Sequence, residues 1–225
     1  MTTFGPSGNS ESFYNEGYKH TYQSMQWLSV RGLDAYEYAG GKGVKIGLEA
    51  CEEIRTEAEK YHIGISFHAP YYINLANEDP EKLEKSFGYI FDSLRVLKAM
   101  GGNRLVMHCG SYMGQSPAGT QKRIGEQMER IVRRMQEEGY EDFLLCPETL
   151  GKLGQFGTVE EIISLCRISE QLIPCIDFGH VYARSLGRVN SQEQFSHILQ
   201  QITNGLGEER MQKIHIHFSH IEYTK

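Results

Sequence analysis

A chain of 225 residues, 40% hydrophobic, 23% charged and 11% aromatic, holds ample apolar material for one sizeable core and excludes the disordered and collagenous classes. Its five cysteines are odd in number and include no C-x-x-C pair, so they read as reduced thiols and not as a disulfide framework or zinc knuckle. No window nears the roughly 18 apolar residues of a membrane span, no secretion signal opens the chain, and a formal charge of −6 argues against broad adhesion to nucleic acid. A soluble, cytoplasmic protein with no membrane partner is expected.

Short β-branched or aromatic runs predict strands beginning near Thr2 (TTFG), Asp34 (DAYEY), Ile65 (ISFHAP), Arg104 (RLVMHC), Asp142 (DFLLCPE), Pro174 (PCIDFGH) and Lys213 (KIHIHF). Their spacing of roughly 30 to 40 residues is one βα unit each time. Between them, helices are predicted over about 21–31, 46–61, 80–100, 118–138, 158–171 and 191–204. In 158–171, Thr158 and Glu161 make a capping box ahead of an Ile162, Ile163 and Leu165 stripe. In 118–138, Ile124, Met128, Ile131, Val132 and Met135 recur at three and four. The charged residues opposite read first as a solvated face, with a phosphate-contacting surface as the alternative. No linker interrupts the units, so residues 1–225 are expected to form a single α/β domain.

Repeated βα units build either an open doubly wound sheet or a closed (β/α)8 barrel. Gly5, Gly8, Gly40, Gly41 and Gly43 match neither dinucleotide nor phosphate-loop spacing. The polar residues instead collect at the ends of many strands at once, which is barrel behaviour. His68, His108, Glu148, Asp177 with His180, and His215 and His217 close five consecutive predicted strands. Nitrogen and oxygen donors without thiolate suit zinc, manganese or iron. Cys109 follows His108 and should point to the other face of its strand.

The run His68-Ala69-Pro70-Tyr71-Tyr72-Ile73-Asn74-Leu75-Ala76 closely resembles the first metal-ligand signature of the endonuclease IV family of abasic-site DNA repair enzymes. His108-Cys109-Gly110-Ser111 is similar to that family's H-P-G-S, Pro147-Glu148-Thr149 to E-N-T, and Asp177-Phe178-Gly179-His180 to D-T-C-H. The resemblance covers roughly residues 65–217. It implies a TIM barrel carrying up to three zinc ions, with Mn2+ as the alternative, that cuts duplex DNA 5′ to an abasic site, as a monomer. By the same resemblance His68, His108 and Glu148 hold one ion. Glu148, the catalytic carboxylate, bridges to a second held with Asp177 and His217, and His180 binds the third. His215, on the same face two residues before His217, is the alternative seventh-strand ligand. Tyr71 and Tyr72 would contact the opened duplex, or else pack beneath a loop.

The family ends with an Asp-x-His pair after the seventh strand and a Glu on the eighth, neither of which is present, and His217-Phe218-Ser219-His220 stands where H-L-N-D is expected. The expectation is therefore a TIM barrel truncated after its seventh strand, lacking the C-terminal βα unit. The rival reading is a divalent-metal sugar isomerase or epimerase resembling the xylose isomerases, and a third is an incomplete metal- or DNA-binding remnant. His20, His62 and His197 read as structural or surface residues, and His220 as a weaker rim candidate. Asn9 and Glu37 are guesses as substrate contacts.

Overall fold

Where Asp34-Ala-Tyr-Glu-Tyr and Ile65-Ser-Phe-His alternate, the computed structural model, which describes residues 2–219 and 221, has β1 (Ala35–Ala39) and β2 (Gly64–His68). They pair in parallel with Tyr36 opposite Ile65 and Ala39 opposite His68. With α1 (Glu11–Asn15), α2 (Gln23–Ser29) and α3 (Leu48–Tyr61) they belong to a first compact unit, formed by Met1–Tyr72 and Gly88–Leu105. Met25, Leu28, Cys51, Ile54 and Phe67 are buried in it, each contributing about 1.5–3 kcal/mol for the larger side chains. α3 stops at His62, whose left-handed backbone (φ 57°) caps the helix, so this histidine is structural as expected.

The strand predicted at Thr2 does not form. The segment still runs beside β1: Ala35 N donates to Phe4 O, Glu37 N to Pro6 O and Gly8 N to Glu37 O. Only a Ser7–Glu37 bridge is complete. Pro6 has no N–H to give the ladder, which is why the pairing stays partial. Gly5 is required there, since a Cβ would sit 1.7 Å from Ala35 O.

α4 (Pro80–Ala99) and β3 (Arg104–Met107) each run from one unit into the other. The second unit, Ile73–Phe87 with Val106–Lys225, adds in order α5 (Pro117–Glu137), β4 (Leu144–Pro147), α6 (Val159–Cys166), β5 (Cys175–Asp177), α7 (Phe178–Arg184), α8 (Gln192–Leu206), α9 (Glu208–Met211) and β6 (His215–His217). Strand neighbours follow chain order. Glu148 N donates to Met107 O, parallel bridges join Leu145 to Leu172 and Glu148 to Cys175, and β5 pairs in parallel with β6, Cys175 opposite His215 and Asp177 opposite His217.

The amphipathic prediction for α5 holds: Ile124, Met128, Ile131, Val132 and Met135 are buried. Its charged face makes Lys122–Glu126 and Arg134–Glu138 pairs, and Arg123 reaches Glu78, as a solvated face would. α6 carries the predicted capping box but ends at Cys166, short of 171, because the Leu165-Cys166-Arg167-Ile168 stretch turns instead of extending. α1, α7 and α9 lie outside the predicted helices. Among the described residues no helix is long and apolar enough to cross a membrane.

Candidate metal centre

In the second unit each strand delivers a metal-ligating type at its C-terminal end. His108 follows β3, Glu148 follows β4, Asp177 ends β5 and His217 ends β6. Glu148 is 1% exposed, yet three imidazoles reach it. His108 Nε2 lies 3.0 Å from Oε2, while His217 Nδ1 at 3.1 Å and His180 Nδ1 at 3.5 Å approach Oε1. Asp177 Oδ2 is 3.6 Å from His180 Nδ1. Glu148, Asp177 and His217 each offer one ligand atom, all within 4.8 Å of one another. Thus His108, Glu148, Asp177, His180 and His217, read from separate stretches of sequence, come together.

Local chemistry fixes these side chains. Asp177 caps α7: its Oδ1 accepts from His180 N at 2.8 Å, so the turn that ends β5 also places His180 one helical turn away. Gly179 permits it, since a Cβ there would sit 2.7 Å from Ser219 Oγ and 3.0 Å from Asp177 Oδ1. Thr149 ties β4 to β5, its buried hydroxyl accepting from Asp177 N at 2.9 Å and lying 3.4 Å from Asp177 O. Its carbonyl O lies 2.8 Å from His180 Nδ1. A carbonyl only accepts, so Nδ1 carries the proton and Nε2 is left with its lone pair outward, the tautomer that a metal ligand needs. Burial works against the His180 imidazolium, but the Glu148 hydrogen bond, the Asp177 and Glu148 charges and the Thr149 carbonyl outweigh it and raise its pKa.

Asn74 holds the loop after His108. Its Oδ1 accepts from Ala76 N at 3.1 Å and Ser111 N at 3.4 Å, and Leu75 N donates to Cys109 O at 2.9 Å. A Cβ on Gly110 would strike that Oδ1 at 2.1 Å, so the glycine is needed for the approach. Burial foremost, then the Glu148 and Glu161 charges, raise the Cys109 thiol far above its ordinary pKa and keep it neutral. Sequence reasoning missed Thr149 and Asn74 as supports, although both lie inside quoted motifs.

In the first unit, His68 ends β2, 5% exposed, with Nδ1 2.8 Å from Ala69 O, which fixes the same tautomer. Tyr71 packs edge-on to it at 5.1 Å and lies across Gly41, where a Cβ would meet the ring at 2.2 Å. Tyr71 and Tyr72 are 56% and 60% exposed. Asn9 Oδ1 accepts from Ser24 and Tyr36 hydroxyls, and Glu37 from those of Ser7 and Ser66, so both guesses have structural partners. His20 stacks on Tyr22, and His220 lies outside the described residues. A groove of about 880 Å³ is lined by Val159, Val181, Arg184, Val189, His197 and Ile198 among others and includes none of the clustered residues, so this groove is not where the chemistry collects.

Residues 25–222 match the model of the xylose isomerase-like TIM barrel family. The chain belongs to that family. Within it, an uncharacterized protein of Methanocaldococcus jannaschii, MJ0133, is 36% identical across all of this chain and 79% of its own length. A probable endonuclease 4 of Shouchella clausii is 26% identical over 90% of this chain and 71% of that protein. A solved D-psicose 3-epimerase, crystallised in the presence of D-fructose, superposes with a TM-score of 0.68 at 16% identity, over 90% of this chain and 68% of that one, a likeness of fold. The barrel family and the likeness to endonuclease IV expected from the motifs are both borne out.

The donors fit a divalent ion. An acceptor-only carboxylate buried among imidazoles, of which His180 has its tautomer locked by a backbone carbonyl, supplies nitrogen and oxygen ligands of the kind that zinc and manganese take.

Proposed function

We propose that this protein is an endonuclease IV-type phosphodiester hydrolase that incises damaged duplex DNA on the 5′ side of abasic sites. The observation that carries this reading is the convergence of His108, His180 and His217 on the buried Glu148 carboxylate, with Asp177 beside it. The likeness to probable endonuclease 4 proteins supports it.

Bound zinc, or manganese, would supply a hydroxide at neutral pH and positive charge against the phosphate. The chain's own residues do the holding. Glu148 presents Oε2 toward His108 and Oε1 toward His217, so its two oxygens face two different groups of ligands, as a bridging catalytic carboxylate must. Thr149 sets the separation between Glu148 and Asp177 by joining their strands. His180 keeps its proton on Nδ1 through the Thr149 carbonyl and directs Nε2 outward.

Specificity follows from the cost of exposing a base. A baseless sugar rotates out of a duplex with least loss of stacking, whereas an intact nucleotide must first be unpaired. Tyr71 and Tyr72, exposed beyond β2, offer rings to the opened duplex. A cytoplasmic monomer acting on DNA completes the reading. Because the protein is acidic, its affinity for DNA should fall with chelator as well as with salt.

The test is cleavage of an abasic-site oligonucleotide duplex by metal-loaded and chelated protein, beside ketose epimerisation and aldose isomerisation on the same sample. Metal-dependent nicking at the lesion with no cutting of intact duplex is the expected result. Sugar turnover without nicking would replace the nuclease with the isomerase or epimerase reading, and neither activity would leave the remnant.

A further inference from the structure

Two residues before the rim positions of β3, β4, β5 and β6 stand Val106, Cys146, Cys175 and His215. Strand alternation puts each on the same face as its rim residue. The first three are fully buried and pack in one cluster with Ile173. His215 departs from that pattern. Its register partner across the sheet is Cys175, and its ring meets that of His217 edge-on with centroids 5.1 Å apart. One ligand atom from each of Cys175, His215 and His217 lies within 4.8 Å of the others.

We propose that Cys175, His215 and His217 form a second, sulfur-bearing metal site that takes a thiophilic ion of the Zn2+ or Cd2+ type. On coordination the Cys175 thiol gives its proton to solvent, and the thiolate, which would be costly at zero exposure, is stabilised by the ion's charge. Ions that prefer oxygen, such as Mn2+ or Mg2+, favour the Glu148–Asp177 carboxylates instead. The two sets meet at His217, whose Nδ1 already lies 3.1 Å from Glu148 Oε1. A tightly held thiophilic ion therefore competes with the carboxylate set for that ring. Unlike the Glu148 set, this one rests on no assumption about substrate.

Titration of chelator-stripped protein with Co2+ tests the site, because a thiolate ligand gives a near-ultraviolet sulfur-to-cobalt charge-transfer band that oxygen and nitrogen ligands do not. The wild type should develop the band. Cys175→Ser and Cys175→Ala should lose it while Co2+ still binds elsewhere, and Cys109→Ser should keep it. His215→Gln should raise the Co2+ concentration needed for the band by about 10-fold or more, the least loss expected for a ligand given what supporting residues cost. A saturated wild type without the band, a band that survives Cys175→Ser, or an unchanged titration in His215→Gln would each overturn the proposal. The glutamine variant keeps the test decisive if the buried cysteine variants fail to fold. Strand cleavage is a separate readout, so failure of either reading is told apart from failure of the other.

Discussion

Glu37 in the first unit and Glu148 in the second are both buried carboxylates, 5% and 1% exposed, at or just beyond a strand. Their partners differ in kind. Glu37 accepts from the Ser7 and Ser66 hydroxyls, neutral donors that pin a strand to its neighbours. Glu148 is approached by His108, His180 and His217, each able to present a lone pair to a cation. Burial alone does not mark a functional carboxylate; the chemistry of what surrounds it does.

Exchanging each carboxylate for its amide sharpens the contrast most. Glu148→Gln should weaken Mn2+ binding by more than about 100-fold and abolish nicking, since even residues that only support a ligand cost about 10- to 100-fold. Its effect should exceed that of any single histidine loss. Glu37→Gln should leave metal content unchanged and lower stability by about 1 kcal/mol, read from urea unfolding.

Thr149→Val asks whether the hydroxyl between β4 and β5 positions the ligands. It removes the acceptor for Asp177 N, and should cost about 1–3 kcal/mol of stability and about 10-fold in metal affinity. Unchanged metal affinity in a destabilised variant would reduce Thr149 to a packing role.

Replacing Tyr71 and Tyr72 by Ala should weaken binding to abasic-site duplex by about 1–3 kcal/mol for each ring that stacks on a base, with metal content unchanged. Equal binding by the variant would make their exposure incidental. The smallest effect belongs to Thr158→Ala, which removes the α6 capping box and should lower the unfolding free energy by about 1 kcal/mol without touching metal or DNA.

Much of this contrast is legible in the sequence. β1 to β6 follow runs whose alternation and length speak for themselves, and His108, Glu148, Asp177 and His217 stood out because a polar residue closing an apolar strand is out of place unless something uses it. The missing first strand turned on one residue, Pro6, which lacks the ladder's donor. α7 leaves little signal in the sequence because it spans seven residues and is capped by Asp177 at the end of β5, where Phe178 and Gly179 do not look helical. Thr149 gave no local signal, since its partner lies 28 residues on and only folding brings the two together. Likewise Cys175 is an ordinary residue until register makes it the neighbour of His215.

The most direct test of the contrast is elemental analysis of purified wild type, Glu148→Gln and Glu37→Gln proteins after equilibration with zinc and removal of free ion. The account predicts bound zinc in the wild type, held equally by Glu37→Gln and reduced in Glu148→Gln to no more than the ion that Cys175, His215 and His217 hold. Equal zinc in the wild type and Glu148→Gln proteins would contradict it, and would make Glu148, like Glu37, a buried carboxylate that serves the fold.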